Sequence, residues 1–185
     1  MKNYRGFTLI ELIVSIGLFA LIMTLAAGAY LIIIGVNRVA QASATGINSL
    51  SFTLDDMTRS IRTGTSYNCS SESGGDCIYG GDTFYFTDAS GNLVSYTVSN
   101  SATLCGAPNT RCIVKTVNGV SATLTDPSVD ITTLSFYVTG TGTAAASDYT
   151  QPHVTFIIAG TVSTGPGKTK DFNIEAGASM RGIDL

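Results

Sequence analysis

The feature that most constrains this chain is a long apolar segment near its N-terminus. Residues 12–36, a stretch of 25, carry no charged side chain. As an α-helix rising about 1.5 Å per residue, such a segment is long enough to cross a hydrocarbon layer of ~30 Å. Eight of the 10 Lys and Arg residues and twelve of the 13 acidic residues follow it. The sequence therefore predicts an apolar N-terminal helix joined to a polar domain.

The charge balance excludes two classes of protein. Charged residues make up only 12% of the chain, and the net charge is −3 at pH 7. Because no basic stripe is present to neutralise phosphates, we do not expect a nucleic-acid partner. A chain that is 44% hydrophobic with so small a net charge is also not intrinsically disordered.

Three ordinary roles of the apolar segment differ in how well they fit. A cleaved secretory signal is disfavoured because the apolar residues 31–34 would stay on the mature protein. A lipoprotein anchor needs a cysteine just behind the segment, whereas the first cysteine is Cys69. A single-pass anchor explains the length, and Lys2 and Arg5 in front of it predict a cytoplasmic N-terminus. It does not explain Glu11.

Glu11 is the one acidic residue in the apolar region. A carboxylate in a membrane span costs a few kcal/mol, less near the membrane edge, and usually marks a functional site. The sequence therefore predicts a partner charge for Glu11. An extended side chain that reaches the lipid headgroups is the alternative.

Residues 2–12, which read KNYRGFTLIEL, resemble the class III signal of type IV pilins and type II secretion pseudopilins. The resemblance implies that a prepilin peptidase cleaves between Gly6 and Phe7 and methylates the new amino terminus of Phe7. Loss of the leader charges Lys2 and Arg5 would change the net charge from −3 to −5.

The resemblance also suggests a role for Glu11 in assembly. Cleavage leaves an α-ammonium group on Phe7, which is charged at neutral pH. In a bundle of parallel helices, Glu11 of one subunit can pair with Phe7 of a shifted neighbour. Removing one partner of a buried ion pair costs about 3–5 kcal/mol, so the pair would fix the stagger between subunits. We predict Phe7 and Glu11 as the assembly residues.

The chain is predicted to have four parts: a cleaved leader (1–6), a transmembrane or filament-core helix (7–36), an amphipathic helix (37–64) and a β-rich extracytoplasmic head (65–185). One helix is expected over residues 8–62, with Gly64 as a left-handed cap. Its second half carries an apolar seam at 3-4-3-4 spacing. The seam consists of Ile47, Leu50, Leu54, Met57 and Ile61, and the charged residues Asp55, Asp56, Arg59 and Arg62 fall outside it.

After residue 67 the pattern changes to the two-residue period of β-strands. Strands are predicted at 83–88, 93–99, 111–117, 120–125, 131–139, 153–162 and 169–180, with a type I′ turn at Asn118–Gly119. A long N-terminal helix followed by antiparallel strands predicts an α+β fold, with the amphipathic half packed on an antiparallel β-sheet. This arrangement is similar to the pilin roll.

The head contains four cysteines, Cys69, Cys77, Cys105 and Cys112, which are disulfide candidates in an exported domain. Local pairs 69–77 and 105–112 would close short loops, but the sequence leaves all three pairings open. No zinc site is predicted, since the spacings are not those of a zinc motif and His153 is the only histidine.

No catalytic site and no cofactor are predicted. His153 flanks an apolar strand, and no nucleophile-elbow motif accompanies it. Asp76 and Asp82 flank glycine-rich turns, so a calcium site there is the one open alternative.

The expected function is that of a structural subunit of a type IV pilus or a type II secretion pseudopilus. Residues 54–62 and 172–182 resemble minor pilins and J-type pseudopilins, which implies a minor or tip subunit. The implied partners are prepilin peptidase, other pilin or pseudopilin subunits, an inner-membrane assembly platform and, before assembly, membrane lipid. The implied location is the bacterial inner membrane, single-pass with the C-terminus outside, and later a surface or periplasmic filament. The alternatives are a major pilin, a membrane-anchored adhesin that does not polymerise, and a membrane-anchored hydrolase whose activity would depend on His153.

Overall fold

The computed structural model describes residues 6, 8–69, 75–142, 150–165 and 167–181. The chain divides into two compact units, Met1–Gln41 and Ala42–Leu185. Helix α1 (Leu9–Thr63) begins in the first unit and ends in the second. It differs from the predicted helix by one residue at each end.

In its described residues, the second unit has nine strands and one short helix after α1. They follow α1 in the order β1 (Thr65–Cys69), β2 (Cys77–Gly81), β3 (Phe84–Thr87), β4 (Leu93–Ser99), α2 (Ala102–Cys105), β5 (Cys112–Val117), β6 (Val120–Thr123), β7 (Val129–Thr139), β8 (His153–Gly165) and β9 (Lys168–Ser179). All the seven predicted strands are present, with shifted ends in most. The sequence did not predict β1, β2 and α2.

The strands form two antiparallel sheets rather than the single predicted sheet. One has five strands in the order β1-β3-β4-β5-β6, and the other has four in the order β2-β7-β8-β9. A helix followed by antiparallel sheets confirms the α+β class. The predicted turn between β5 and β6 is also confirmed, because Asn118 and Gly119 have φ angles of 49° and 84°.

One hydrophobic core joins the second half of α1 to both sheets. Leu50, Met57 and Ile61 of α1 are buried in it. Phe84 of the five-stranded sheet stacks on Phe136 of the four-stranded sheet, with ring centroids 5.2 Å apart. Aromatic pairs at this spacing add to the apolar area that they bury. The core therefore packs the second half of α1 and the two sheets together within the second unit.

The seam of α1 departs from the prediction at its first position. Ile47 is 59% exposed, whereas Gly46 and Thr53 are buried. A Cβ atom at Gly46 would overlap Cγ1 of Val162, so a glycine is needed for the close approach of β8. The core-facing stripe of α1 therefore begins at Gly46 and not at Ile47.

The predicted left-handed cap at Gly64 is wrong. Gly64 has no positive φ, and a Cβ atom there would overlap the ring of Phe86. The end of α1 is instead stabilised by other donors: the Tyr67 hydroxyl lies 2.6 Å from the Ile61 carbonyl oxygen, and the Arg181 amide donates to the Arg62 carbonyl at 2.9 Å. These contacts satisfy carbonyls that a helix end leaves without partners.

Candidate functional site

The N-terminal segment contains the predicted processing and assembly residues. The structure describes Gly6, which is exposed, and residues from Thr8 onwards. Lys2, Arg5 and Phe7 lie outside the described residues. The cleavage between Gly6 and Phe7 and the pairing of Phe7 with Glu11 therefore stay predictions.

Thr8 and Glu11 form the start of α1. Because α1 begins at Leu9, Thr8 occupies the N-cap position and Glu11 the third helical position. The Thr8 amide and hydroxyl donate to Oε2 of Glu11 at 3.4 and 3.2 Å, and the Glu11 amide donates to the Thr8 hydroxyl at 3.4 Å. This reciprocal arrangement is a capping box, which satisfies amides that the first turn of a helix leaves unpaired.

The capping box gives Glu11 a local role that the sequence analysis missed. The spacing of Thr8 and Glu11 is the signal that could have revealed it. The carboxylate lies at the positive end of the helix dipole, where a negative charge is favoured. Thr8 contacts only Oε2 of the Glu11 carboxylate in the described structure, and the Glu11 side chain stays exposed. Glu11 can therefore cap its own helix and still present a carboxylate oxygen to a cationic group of another molecule.

The apolar half of α1 has no cover within its own unit. The side chains from residue 8 to residue 33 are all exposed, including large apolar ones such as Leu18 (60%) and Leu31 (69%). Among the described residues, α1 is the one helix long and apolar enough to cross a membrane. Exposed apolar area of this extent is unfavourable in water, so this segment requires lipid or other protein around it.

Both disulfides in the head join cysteines that are close in the chain. Cys69 is bonded to Cys77, and Cys105 is bonded to Cys112. Of the three pairings that the sequence left open, the structure has the local one. The first disulfide links β1 to β2, which belong to different sheets, and the second links α2 to β5.

A polar cluster connects α1 to the five-stranded sheet. Lys115 of β5 lies 2.9 Å from Oδ2 of Asp56, and the Tyr96 hydroxyl donates to the same oxygen at 3.1 Å. Tyr96 is fully buried, and this burial raises the pKa of its phenol. The sequence pattern predicts Asp56 outside the seam but does not reveal this partner, because Lys115 is far along the chain.

The other candidate residues of the head are spread over its surface. His153 is the first residue of β8, and its Nδ1 lies 2.9 Å from the Ser179 hydroxyl oxygen. Asp76 accepts hydrogen bonds from the amide and hydroxyl of Thr141, at 2.9 and 3.0 Å. In the part of the chain that the structure describes, no three His, Cys, Asp or Glu side chains are grouped to hold a metal ion. Whether Asp76 and Asp82 bind calcium stays untested.

Comparison with known proteins gives one match. The family model of the prokaryotic N-terminal methylation motif matches residues 1–27. This motif is the signature of type IV pilins and pseudopilins, so the resemblance of residues 2–12 to that signal is confirmed. No curated protein and no solved structure gives a significant match to the chain.

Proposed function

We propose that this chain is a minor or tip subunit of a type IV pilus or a type II secretion pseudopilus. Its precursor is cleaved by prepilin peptidase between Gly6 and Phe7, and Phe7 is methylated. The mature subunit then enters a filament through α1, guided by an inner-membrane assembly platform. Its role is structural, and its head is extracytoplasmic.

The observation that carries this proposal is the N-terminal methylation motif at residues 1–27. The motif supports a pilin-like subunit that prepilin peptidase processes. The apolar, exposed first half of α1 fits a single-pass membrane protein. Membrane lipid covers this segment before assembly, and neighbouring subunits cover it afterwards.

The capping box supports a specific part for Glu11 in assembly. A carboxylate held at the first turn of α1 by Thr8 is pre-positioned close to the new amino terminus of a mature subunit. When a neighbouring Phe7 ammonium approaches this carboxylate away from water, their attraction is strong and depends on the stagger. One stagger between subunits is therefore favoured over the others.

The minor or tip role is supported by the resemblance of residues 54–62 and 172–182 to minor pilins and J-type pseudopilins. Copy number in purified filaments tests this part. A minor subunit should be present at a small fraction of the most abundant pilin, whereas equal abundance would identify a major pilin.

Substitution of Glu11 tests the assembly mechanism. We predict that Glu11→Ala leaves membrane insertion intact but lowers incorporation into filaments by about a hundredfold or more, since one partner of a buried pair is lost. The measurement is the amount of subunit in sheared filaments relative to the membrane, from immunoblots of both fractions.

Thr24→Val is the matched control for Glu11→Ala. It also removes a polar group from the apolar half of α1, since the Thr24 hydroxyl donates only to the Leu21 carbonyl in the described structure. Its incorporation should equal that of the wild type. If Glu11→Ala subunits were incorporated as well as Thr24→Val subunits, α1 would be a simple anchor and the assembly role of Glu11 would be wrong.

A further inference from the structure

An open cleft of about 460 Å³ lies where the end of α1 meets the end of β9 in the second unit. Its polar lining comes from Thr58 and Arg62 of α1, Gln151 before β8, and Ser179 and Arg181 at the end of β9. Two of these side chains are charged, and both are arginines. The cleft therefore offers hydrogen-bond donors and positive charge in one concave surface.

The main chain holds the two arginines in the same place. The Arg181 amide donates to the Arg62 carbonyl oxygen at 2.9 Å, and the preceding Met180 amide donates to the Pro152 carbonyl at 3.0 Å. Two positively charged side chains that line one cleft repel each other. The negative end of α1 offsets part of this repulsion, but it provides no oxygen pair for a guanidinium to bind.

No carboxylate neutralises this pair within the described part of the chain. The ion pairs found there join Arg111 to Asp130 and Lys115 to Asp56. Arg62 and Arg181 have no ion-pair partner among the described residues. An anion that enters the cleft would therefore find two guanidinium groups with their donors available.

The Ser179 hydroxyl adds a further hydrogen-bond donor to the cleft. Nδ1 of His153 lies 2.9 Å from the Ser179 hydroxyl oxygen. When the ring proton is on Nδ1, His153 donates to this oxygen, and the hydroxyl proton of Ser179 is available to a ligand. The histidine ring packs against Gly177, where a Cβ atom would lie 3.0 Å from Nε2. Gly177 thus leaves the space that the ring needs to reach Ser179.

We propose that this cleft binds a tetrahedral oxyanion, a phosphate or sulfate group. A planar carboxylate is satisfied by a single guanidinium fork, whereas a tetrahedral group presents further oxygens to a second fork and to a hydroxyl. The ligand is a single group rather than a polyanion, because the chain has a net charge of −3 and attracts no polyanion over long range.

The test is isothermal titration calorimetry of the full processed chain, in a non-ionic detergent, with inorganic phosphate as the titrant. Sodium chloride at equal ionic strength is the reference. The wild type should show saturable binding, and Arg62→Gln or Arg181→Gln should each raise Kd by about tenfold or more. Arg62→Lys keeps the charge but loses the fork, so its Kd should also rise.

Arg59→Gln is the matched control, because Arg59 is exposed on the same helix, one turn away, and does not line the cleft. It removes the same charge and should leave Kd unchanged. Thermal unfolding of each variant checks that it is folded. If Arg62→Gln lowers the unfolding temperature, the comparison is made with Arg181→Gln instead.

A second titration with glucose 6-phosphate distinguishes the source of the group. Tighter binding than that of inorganic phosphate would indicate a phosphoryl group carried by a sugar, and equal or weaker binding would indicate the free ion. Absence of saturable binding in both titrations would overturn the proposal. An equal loss of phosphate affinity in Arg59→Gln and Arg62→Gln would also overturn it. Neither result depends on whether the chain enters a filament.

Discussion

Tyr67 shows how a single side chain determines the end of α1. Its hydroxyl oxygen lies 2.6 Å from the Ile61 carbonyl oxygen and 2.9 Å from that of Gly64, and its side chain is 4% exposed. Burial raises the pKa of this phenol from 10.0 to about 12. The neutral form donates to the helix end, whereas a phenolate could not, so the fold requires the proton.

The stability of the folded head should therefore fall at high pH. Between pH 10 and 12 the unfolded chain loses the Tyr67 proton while the folded chain keeps it, so the free energy of unfolding decreases as pH rises through this window. The loss from Tyr67 is on the order of 2–3 kcal/mol. Tyr96, whose pKa burial also raises, acts in the same direction. Urea unfolding at pH 8, 10, 11 and 12 measures the effect.

Tyr67→Phe isolates the contribution of this residue. The variant should be less stable than the wild type at pH 8, by about 1–3 kcal/mol, because the helix-end carbonyls lose their buried donor. Its stability should then fall less steeply above pH 10. Equal slopes for the two proteins would show that Tyr67 does not titrate as the structure implies.

At the scale of elements, the packing of α1 depends on where its glycines lie. Gly46 is in close contact with Val162, and Gly64, just after the helix, is in close contact with Phe86, whereas a Cβ atom at Gly28 or Gly35 would meet nothing within 4 Å. The 3-4 pattern of apolar residues locates the seam because it reflects helix geometry alone. It does not reveal Gly46 or exclude Ile47, because that difference depends on contact with β8.

Gly46→Ala should destabilise the head by about 1–3 kcal/mol, because the new methyl group must displace Val162 or shift β8 against α1. Gly28→Ala is the control, and it should not lower stability, since alanine favours the helix and the added Cβ has open space. Thermal unfolding of the two variants in detergent makes the comparison. Similar unfolding temperatures would contradict the close packing at Gly46.

The strands also differ in whether neighbouring residues in the sequence predict them or whether they depend on distant pairing. β4 begins and ends where the alternation of side chains predicts, at Leu93 and Ser99. β1 and β2 are five residues each, include cysteine or glycine, and form by pairing with β3 and β7. Because these strands depend on distant pairing and not on a local run of alternating residues, the sequence did not predict them or the division into two sheets.

The functional sites follow this division as well. The N-terminal motif is contiguous, so its residues could be predicted from the sequence and its family match. The cleft of Arg62 and Arg181 joins residues from opposite ends of the second unit, and no local pattern links them. The pairing of Asp56 with Lys115 was missed for the same reason.

At the scale of the whole molecule, the two units differ in whether they bury their own apolar side chains. The second unit buries its own core and is closed by two local disulfides. The first exposes apolar side chains along the helix, and its described residues form no core. Because this surface is unfavourable in water, the chain requires a membrane or other subunits around it. This difference is what a precursor needs if it is to move from lipid into a filament.

The intact mass of the protein extracted from bacterial membranes shows directly whether the chain is processed as a prepilin. We predict a chain that lacks residues 1–6, begins at Phe7 and carries one added methyl group, with both disulfides formed. Fragmentation of the N-terminal peptide should place the methyl group on the Phe7 amine. A chain that retains Lys2 and Arg5, or one cleaved elsewhere, would contradict processing between Gly6 and Phe7 and with it the proposed route to assembly.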